Sequence, residues 1–287
     1  MSMSSVRLIE CPRDAIQGWP HLVNTGQKIR YLNSLLQVGF DTLDFGSFVS
    51  PKAIPQMADT KEVLSKLQLT GSHTKLLAIV ANERGAEEAV AYDEIRYLGF
   101  PFSVSETFQQ RNTNSSINES LKRVETIQEL CANRGKELVV YLSMGFGNPY
   151  GDDWNEEIVF GWARQLNGMG VQILSVADTV GLATAEQVEQ IVSFLIQELP
   201  QVETGVHLHS TYTNWKEKLE AAYNAGCRRF DGALKGIGGC PMAGNKLVGN
   251  MNTEWMIEFF EQKRVLPQIN RQALQNSIVI ASEIFGQ

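Results

Sequence analysis

The chain is poor in the features that hold small secreted or metal-knuckle proteins together. Its 287 residues include only four cysteines, Cys11, Cys131, Cys227 and Cys240, widely spaced and without a CxxC pair. That argues against a zinc ribbon and a disulfide framework, and it suits a reducing compartment. Basic charge is also scarce. The 25 Lys and Arg residues face 32 Asp and Glu, a formal net charge of -7. Such a surface repels phosphate backbones and anionic membranes, so nucleic-acid and membrane partners are not expected. An anionic small molecule would need a local basic patch. No uncharged apolar run approaches the ~18 residues of a membrane span. No basic or Arg-rich leader precedes the first strand-like segment, and the expected location is cytoplasmic. Linker-like Gly/Ser/Pro stretches are absent, so a single domain over residues 1–287 is expected.

What is present is alternation. Short apolar, β-rich runs fall at 6–10, 42–45, 75–80, 94–97, 137–143, 173–177, 203–209 and 229–233. Longer helical patterns lie between them. The segment 25–38 carries Ile29, Leu32, Leu35 and Leu36 at helical spacing and stops at Gly39. The segment 116–134 opens on a capping Ser116 and carries Leu121, Val124, Ile127 and Cys131 on one stripe. Stripes at 184–199 and 215–225 follow, then helical stretches at 253–263 and 272–284. Repeated strand–helix units imply a parallel sheet, and about eight strands imply a closed (β/α)₈ TIM barrel with an extra C-terminal helix. The alternative, a doubly wound open sheet, lacks a GxGxxG after its first strand.

In such a barrel, reactive groups sit where strands end and βα loops begin. Strand one runs into Glu10-Cys11-Pro12-Arg13-Asp14, where an Arg–Asp pair is either functional or a simple ion pair. Strand seven runs into His207-Leu208-His209-Ser210. Residues i and i+2 of a strand face one side, so two of the chain's four histidines point together, half of a metal site. After strand eight, Gly236-Ile237-Gly238-Gly239-Cys240-Pro241 reads as a mobile loop with a thiol, or as a tight loop with an incidental one. Asp178-Thr179 could enter the barrel mouth or cap a turn. Asp44, if buried, needs a partner, and Arg13 is the obvious one. Trp154, Phe160 and Trp162 read as core or interface. Asp152, Asp153, Glu156 and Glu157 read as a solvated helix N-terminus.

These motifs, in this order at the ends of different strands, resemble the 3-hydroxy-3-methylglutaryl-CoA lyase family of barrel metallolyases, from Val6 to about Phe259. Pro12-Arg13-Asp14 with Gln17 resembles the first-strand motif. The run 47–52 with Pro55-Gln56-Met57 resembles a segment typical of the lyases. Asp178-Thr179-Val180-Gly181, His207-Leu208-His209, the Cys240 loop and Gly249-Asn250 resemble the remaining motifs. The resemblance implies Mg²⁺ or Mn²⁺ held by Asp14, His207, His209 and Asn250. It implies retro-Claisen cleavage of 3-hydroxy-3-methylglutaryl-CoA to acetyl-CoA and acetoacetate. Arg13 would stabilise the thioester enolate and Cys240 would return a proton. Asp44 would assist at the mouth, and His207 or Asp14 would be the candidate base. Gln17, Ser47, Asp178 and Thr179 would contact substrate. A homo-oligomer, dimer or larger, is also implied.

Three positions depart from the family pattern: Ala15 for the usual glycine, Asp44 for glutamate, and Ser210 for an aspartate that would orient the imidazoles. Two other readings share these residues. One is a lyase for another 3-hydroxyacyl-CoA or a related condensing enzyme of the isopropylmalate or citramalate synthase kind. The other is a retired barrel that binds an acyl-CoA without turnover. If the thiol is the proton donor, Cys240→Ser lowers turnover sharply and leaves folding intact; normal turnover in that variant removes the role.

Overall fold

The computed structural model describes residues 5–239 and 248–286. Eight parallel strands close on themselves in sequence order. The first, β1 (Arg7–Glu10), pairs on one side with β2 (Thr42–Ser47) and on the other with β8 (Arg229–Gly232). Between them lie β3 (Lys75–Ile79), β4 (Ile95–Ser103), β5 (Glu137–Ser143), β6 (Ile173–Ala177) and β7 (Glu203–His207). Strands buried on both faces need apolar side chains on both, which is why these segments read as near-continuous hydrophobic runs rather than as alternation. Helices carry the chain back. They are α1 (Pro12–Gln17), α2 (Thr25–Leu35), α3 (Thr60–Leu64), α4 (Glu83–Ala89), α5 (Glu106–Thr113), α6 (Ile117–Asn133), α7 (Glu156–Gly168), α8 (Ala185–Glu198), α9 (Trp215–Asn224), α10 (Thr253–Gln262) and α11 (Arg271–Phe285).

Local chemistry sets the helix starts. Asn24 with Gln27, Ser116 with Glu119, and Thr184 with Gln187 each form a reciprocal capping box at α2, α6 and α8. The extra helix α11 packs on α2, where Ser277 Oγ donates to Ser34 Oγ over 2.9 Å. The barrel floor is closed by Val6, whose N–H donates to Val265 O at 3.1 Å.

The strands expected at 137–143 and 173–177 have those bounds in the structure. The expected 94–97 is only the start of β4, which runs on to Ser103 through Gly99 and Pro101. Those two residues read as breakers in isolation, yet Gly99 makes room for Tyr141 and Ile79 inside the barrel. Strand β7 ends at His207, so His209 lies beyond it and is held instead by a bridge to Asn250. Helix α5 was not legible because only Phe108 and Gln109 of its eight residues are buried.

Glu10 sits on the outer face of β1, fully buried under α10. It accepts bonds from Leu234 N–H (2.8 Å) and Thr253 Oγ1 (2.6 Å). Burial outweighs those bonds and pushes its carboxyl from 4.5 up to about 8. The folded state therefore binds the proton more tightly than the unfolded one. Glu10 consequently costs stability as pH rises from 4.5 through 8, by ~1.4 kcal/mol per pH unit at most. In Glu10→Gln this component is gone, so its melting temperature should fall less than the wild type's between pH 5 and 8. Parallel pH curves for the two proteins would show that Glu10 stays ionised in the fold.

Candidate metal centre and active site

Pro12 occupies the first turn of α1, where its missing N–H costs nothing, so the chain turns from β1 directly into a helix. That turn carries Arg13 and Asp14 over the barrel mouth. His207 closes β7 and His209 follows two residues on. Ligand atoms of Asp14, His207 and His209 all lie within 4.8 Å of one another. Asn250 completes the group: its Nδ2 donates to Asp14 Oδ2 (2.8 Å) and Ile237 O (2.9 Å). Asn250 Oδ1 and His209 Nδ1 are buried with no hydrogen-bond partner. Two unsatisfied lone pairs beside a carboxylate and a second imidazole are what a divalent cation would satisfy, and the mixed N/O donor set fits one.

The protonation states agree with that use. Arg13 and His207, against the effect of burial, hold the Asp14 carboxyl well below the usual range. Burial, with His207 alongside, lowers His209 to about 3, so its imidazole is neutral and able to ligate. His207 Nδ1 faces Asp231 Oδ2 at 3.2 Å; an ionised carboxylate only accepts, so Nδ1–H donates and Nε2 is left for a metal. The support expected from the residue after the histidine pair thus comes from β8. Ser210 turns its hydroxyl to Met251 Sδ at 3.6 Å, and its substitution removes nothing that His207 needs.

Arg13 is locked. Its Nε and Nη2 grip Asp44, the latter at 2.6 Å, while Nη1 donates to Asp14 Oδ1 (3.0 Å) and Gln17 Oε1 (3.2 Å). Burial raises the Asp44 carboxyl to about 6 despite the pull of Arg13, leaving the pair ionised at neutral pH. The shorter aspartate suffices for this grip. Asp44 is 1% exposed and is not among the residues lining the mouth; its carboxylate is turned to Arg13, the partner expected for it.

A cavity of about 430 Å³ opens above these groups, lined by Arg13, Asp14, Gln17, Thr179, His207 and His209. The opposite wall comes from residues that sequence reasoning missed: Tyr141 on β5, and Arg111 and Asn112 on α5. Nothing in their local pattern marks them; only the fold brings them to the mouth. Asp178 does not belong to it. Its carboxylate binds Lys218 Nζ (2.7 Å) and Ala183 N–H (3.0 Å) at 1% exposure, away from the cavity in which substrate contact was expected. Ser47 lines an adjoining cleft of about 270 Å³ instead. Asp152, expected as part of a solvated start of α7, instead clamps α5: it accepts from Ser105 Oγ, Thr107 N–H (2.9 Å) and Thr107 Oγ1 (2.8 Å). The α5 wall is therefore pinned by the loop after β5.

Cys240 lies outside the described residues. The glycines before it are packed against the site. At Gly238, with φ +124°, an added Cβ would collide with Asn250 Nδ2 and lie 3.0 Å from Asp14 Oδ2. The Gly239 N–H donates to Asp14 Oδ2 at 3.3 Å.

The profile of the HMGL-like family matches residues 6–278. The chain belongs to the HMGL-like family. Among its relatives is the 3-hydroxy-3-isohexenylglutaryl-CoA/hydroxy-methylglutaryl-CoA lyase of Pseudomonas aeruginosa, 32% identical over 94% of this chain and 89% of that protein. The mitochondrial hydroxymethylglutaryl-CoA lyase of Homo sapiens is 31% identical over 94% of this chain and 82% of that one. The HMG-CoA lyase of Acinetobacter baumannii, solved with coenzyme A and 3-methylmalate, superposes with a TM-score of 0.91 at 30% identity, covering 99% and 92% of the two chains.

Because Gly238 passes so close to Asp14 and Asn250, Gly238→Ala should weaken Mn²⁺ binding to the metal-stripped protein by ~10-fold or more, as displaced ligand support does. An unchanged titration would show that the glycine run does not shape the site.

Proposed function

We propose that this HMGL-like protein cleaves 3-hydroxy-3-methylglutaryl-CoA to acetyl-CoA and acetoacetate in a reaction that depends on Mg²⁺ or Mn²⁺. Asp14, His207, His209 and Asn250 hold the ion. The observation that carries the reading is the pair of orphaned atoms, His209 Nδ1 and Asn250 Oδ1, meeting Asp14 beside a locked arginine at the floor of an open cavity. The names of the relatives point to the same chemistry.

A bound divalent ion supplies Lewis acidity that lowers the cost of ionising the substrate's tertiary hydroxyl. The hydroxyl proton goes to a group in the same cluster, with His207 and Asp14 the candidates. As the alkoxide collapses to the ketone of acetoacetate, the carbon–carbon bond breaks and its electron pair moves onto the thioester as an enolate. Arg13, already fixed by Asp44, Asp14 and Gln17, offers that charge a donor whose position costs no reorganisation. The enolate carbon takes a proton from Cys240, which the chain reaches directly after Gly239 passes Asp14. Thr179 and Gln17 contact substrate from the cavity wall.

An anionic CoA ester also needs basic groups in a chain of net charge -7. Arg111 on α5 and Arg84 at the adjoining cleft supply them locally. No helix among the described residues is long and apolar enough to cross a membrane. A second reading, a longer 3-alkyl substituent, is favoured by the apolar wall of Ile54, Ile79, Pro101 and Phe108.

Purified protein with Mg²⁺ should release acetoacetate from 3-hydroxy-3-methylglutaryl-CoA. In Arg13→Gln the rate should drop on the order of 10²–10³-fold while the metal still binds. Failure of the wild type on this ester and on 3-alkyl homologues would sink the proposal, and an unchanged Arg13→Gln rate would sink the role of Arg13.

A further inference from the structure

Below the mouth, the barrel interior holds a second charged residue that the proposed chemistry does not use. Arg229, on β8, is 0% exposed, and Nε, Nη1 and Nη2 of its guanidinium are all without a hydrogen-bond partner. The fold makes deliberate room for it. Gly205 stands beside it in register on β7, and a Cβ there would lie 2.9 Å from Arg229 Cδ. The guanidinium sits 5.6 Å from the centre of the Tyr97 ring and 3.6 Å from Glu203 Oε1, which belongs to the barrel floor, where Arg7 also binds Glu203.

Above Arg229, two residues along the same strand and so on the same face, is Asp231. Its Oδ2 holds His207, but its Oδ1 is buried and unpartnered. Tyr141 Oη on β5 and Ser175 Oγ on β6 are buried and unpartnered too. The Tyr141 ring packs edge-on to His207, with 5.9 Å between centroids. Donors dominate this set, with a guanidinium fork and two hydroxyls for one lone carboxylate oxygen. Native interiors leave such groups to ordered water, which accepts from one side and donates to the other. No direct hydrogen bond or ion pair joins Arg229 to Asp231, so solvent is the partner left to both.

We propose that Arg229 is a positioning residue for the metal centre: through buried water shared with Tyr141 and Ser175 it holds Asp231 in place, and Asp231 in turn fixes the tautomer and angle of His207. A column of alternating charge then runs up the barrel axis, from Arg7 through Glu203, Arg229 and Asp231 to His207. The inference rests on the reading of His207 as a metal ligand, although the solvent itself can be observed without any metal.

Two measurements test it. A crystal structure of the wild-type protein at high resolution should show solvent peaks bridging the Arg229 guanidinium to Asp231 Oδ1. A dry contact between the two side chains, or no solvent joining them, overturns the proposal. In folded Arg229→Met, Mn²⁺ should bind ~10–100-fold more weakly and kcat should fall with KM for the ester little changed, with Arg229→Lys recovering part of both. Unchanged Mn²⁺ affinity in a folded Arg229→Met variant also overturns it. If Arg229→Met does not fold, the solvent peaks decide. Mn²⁺ binding that survives His207→Ala would fault the ligand assignment itself, separately from the role of Arg229.

Discussion

Closure of the barrel between its first and last strands is the constraint on which the site depends. Pairing of β1 with β8 sets Ile9 beside Asp231 and Glu10 beside Gly232. It therefore sets Asp14, one turn beyond β1, beside His207, His209 and Asn250. No local segment could bring these groups together; more than 190 residues separate Asp14 from His207. The same closure explains the outer seam, where the Glu10 carboxyl group ties Leu234 and Thr253 to the end of β1. Without that register the ligand atoms would have no common centre.

Within the closed barrel, charge is organised in layers, each group held by the next. Arg13 is gripped by Asp44, Asp14 and Gln17, His207 by Asp231, and Asp178 by Lys218. Such buried groups are expensive unless paired, and breaking one pair leaves a stranded charge. What the chain gains is geometry: a locked guanidinium and a fixed imidazole tautomer need no rearrangement when charge develops above them. Of the atoms left unpaired, His209 Nδ1 and Asn250 Oδ1 are those a cation would take.

Much of this was legible from the residues. The histidine pair at i and i+2, the Arg13-Asp14 turn and the strand count follow from periodicity and from where strands end. The coupling of Asp44 to Arg13 follows from the cost of a buried carboxylate. Asp231 was not legible, because a support on the neighbouring strand has no signature in the sequence around the histidines. Arg111 and Asn112 were hidden for a different reason: α5 buries little, so its pattern is that of a loop. Glycines 238 and 239 read either as a mobile loop or as a tight one, and the described backbone packs them closely on Asp14 and Asn250. In each case the missing information is a contact between distant parts of the chain, which spacing along one segment cannot carry.

A metal centre here would draw on four residues from distant parts of the chain. Anomalous scattering from crystals soaked in Mn²⁺ locates that ion directly. A single strong peak bounded by Asp14, His207, His209 and Asn250 is the expected result. A peak elsewhere, or no peak from protein that is folded and saturated with Mn²⁺, would contradict it.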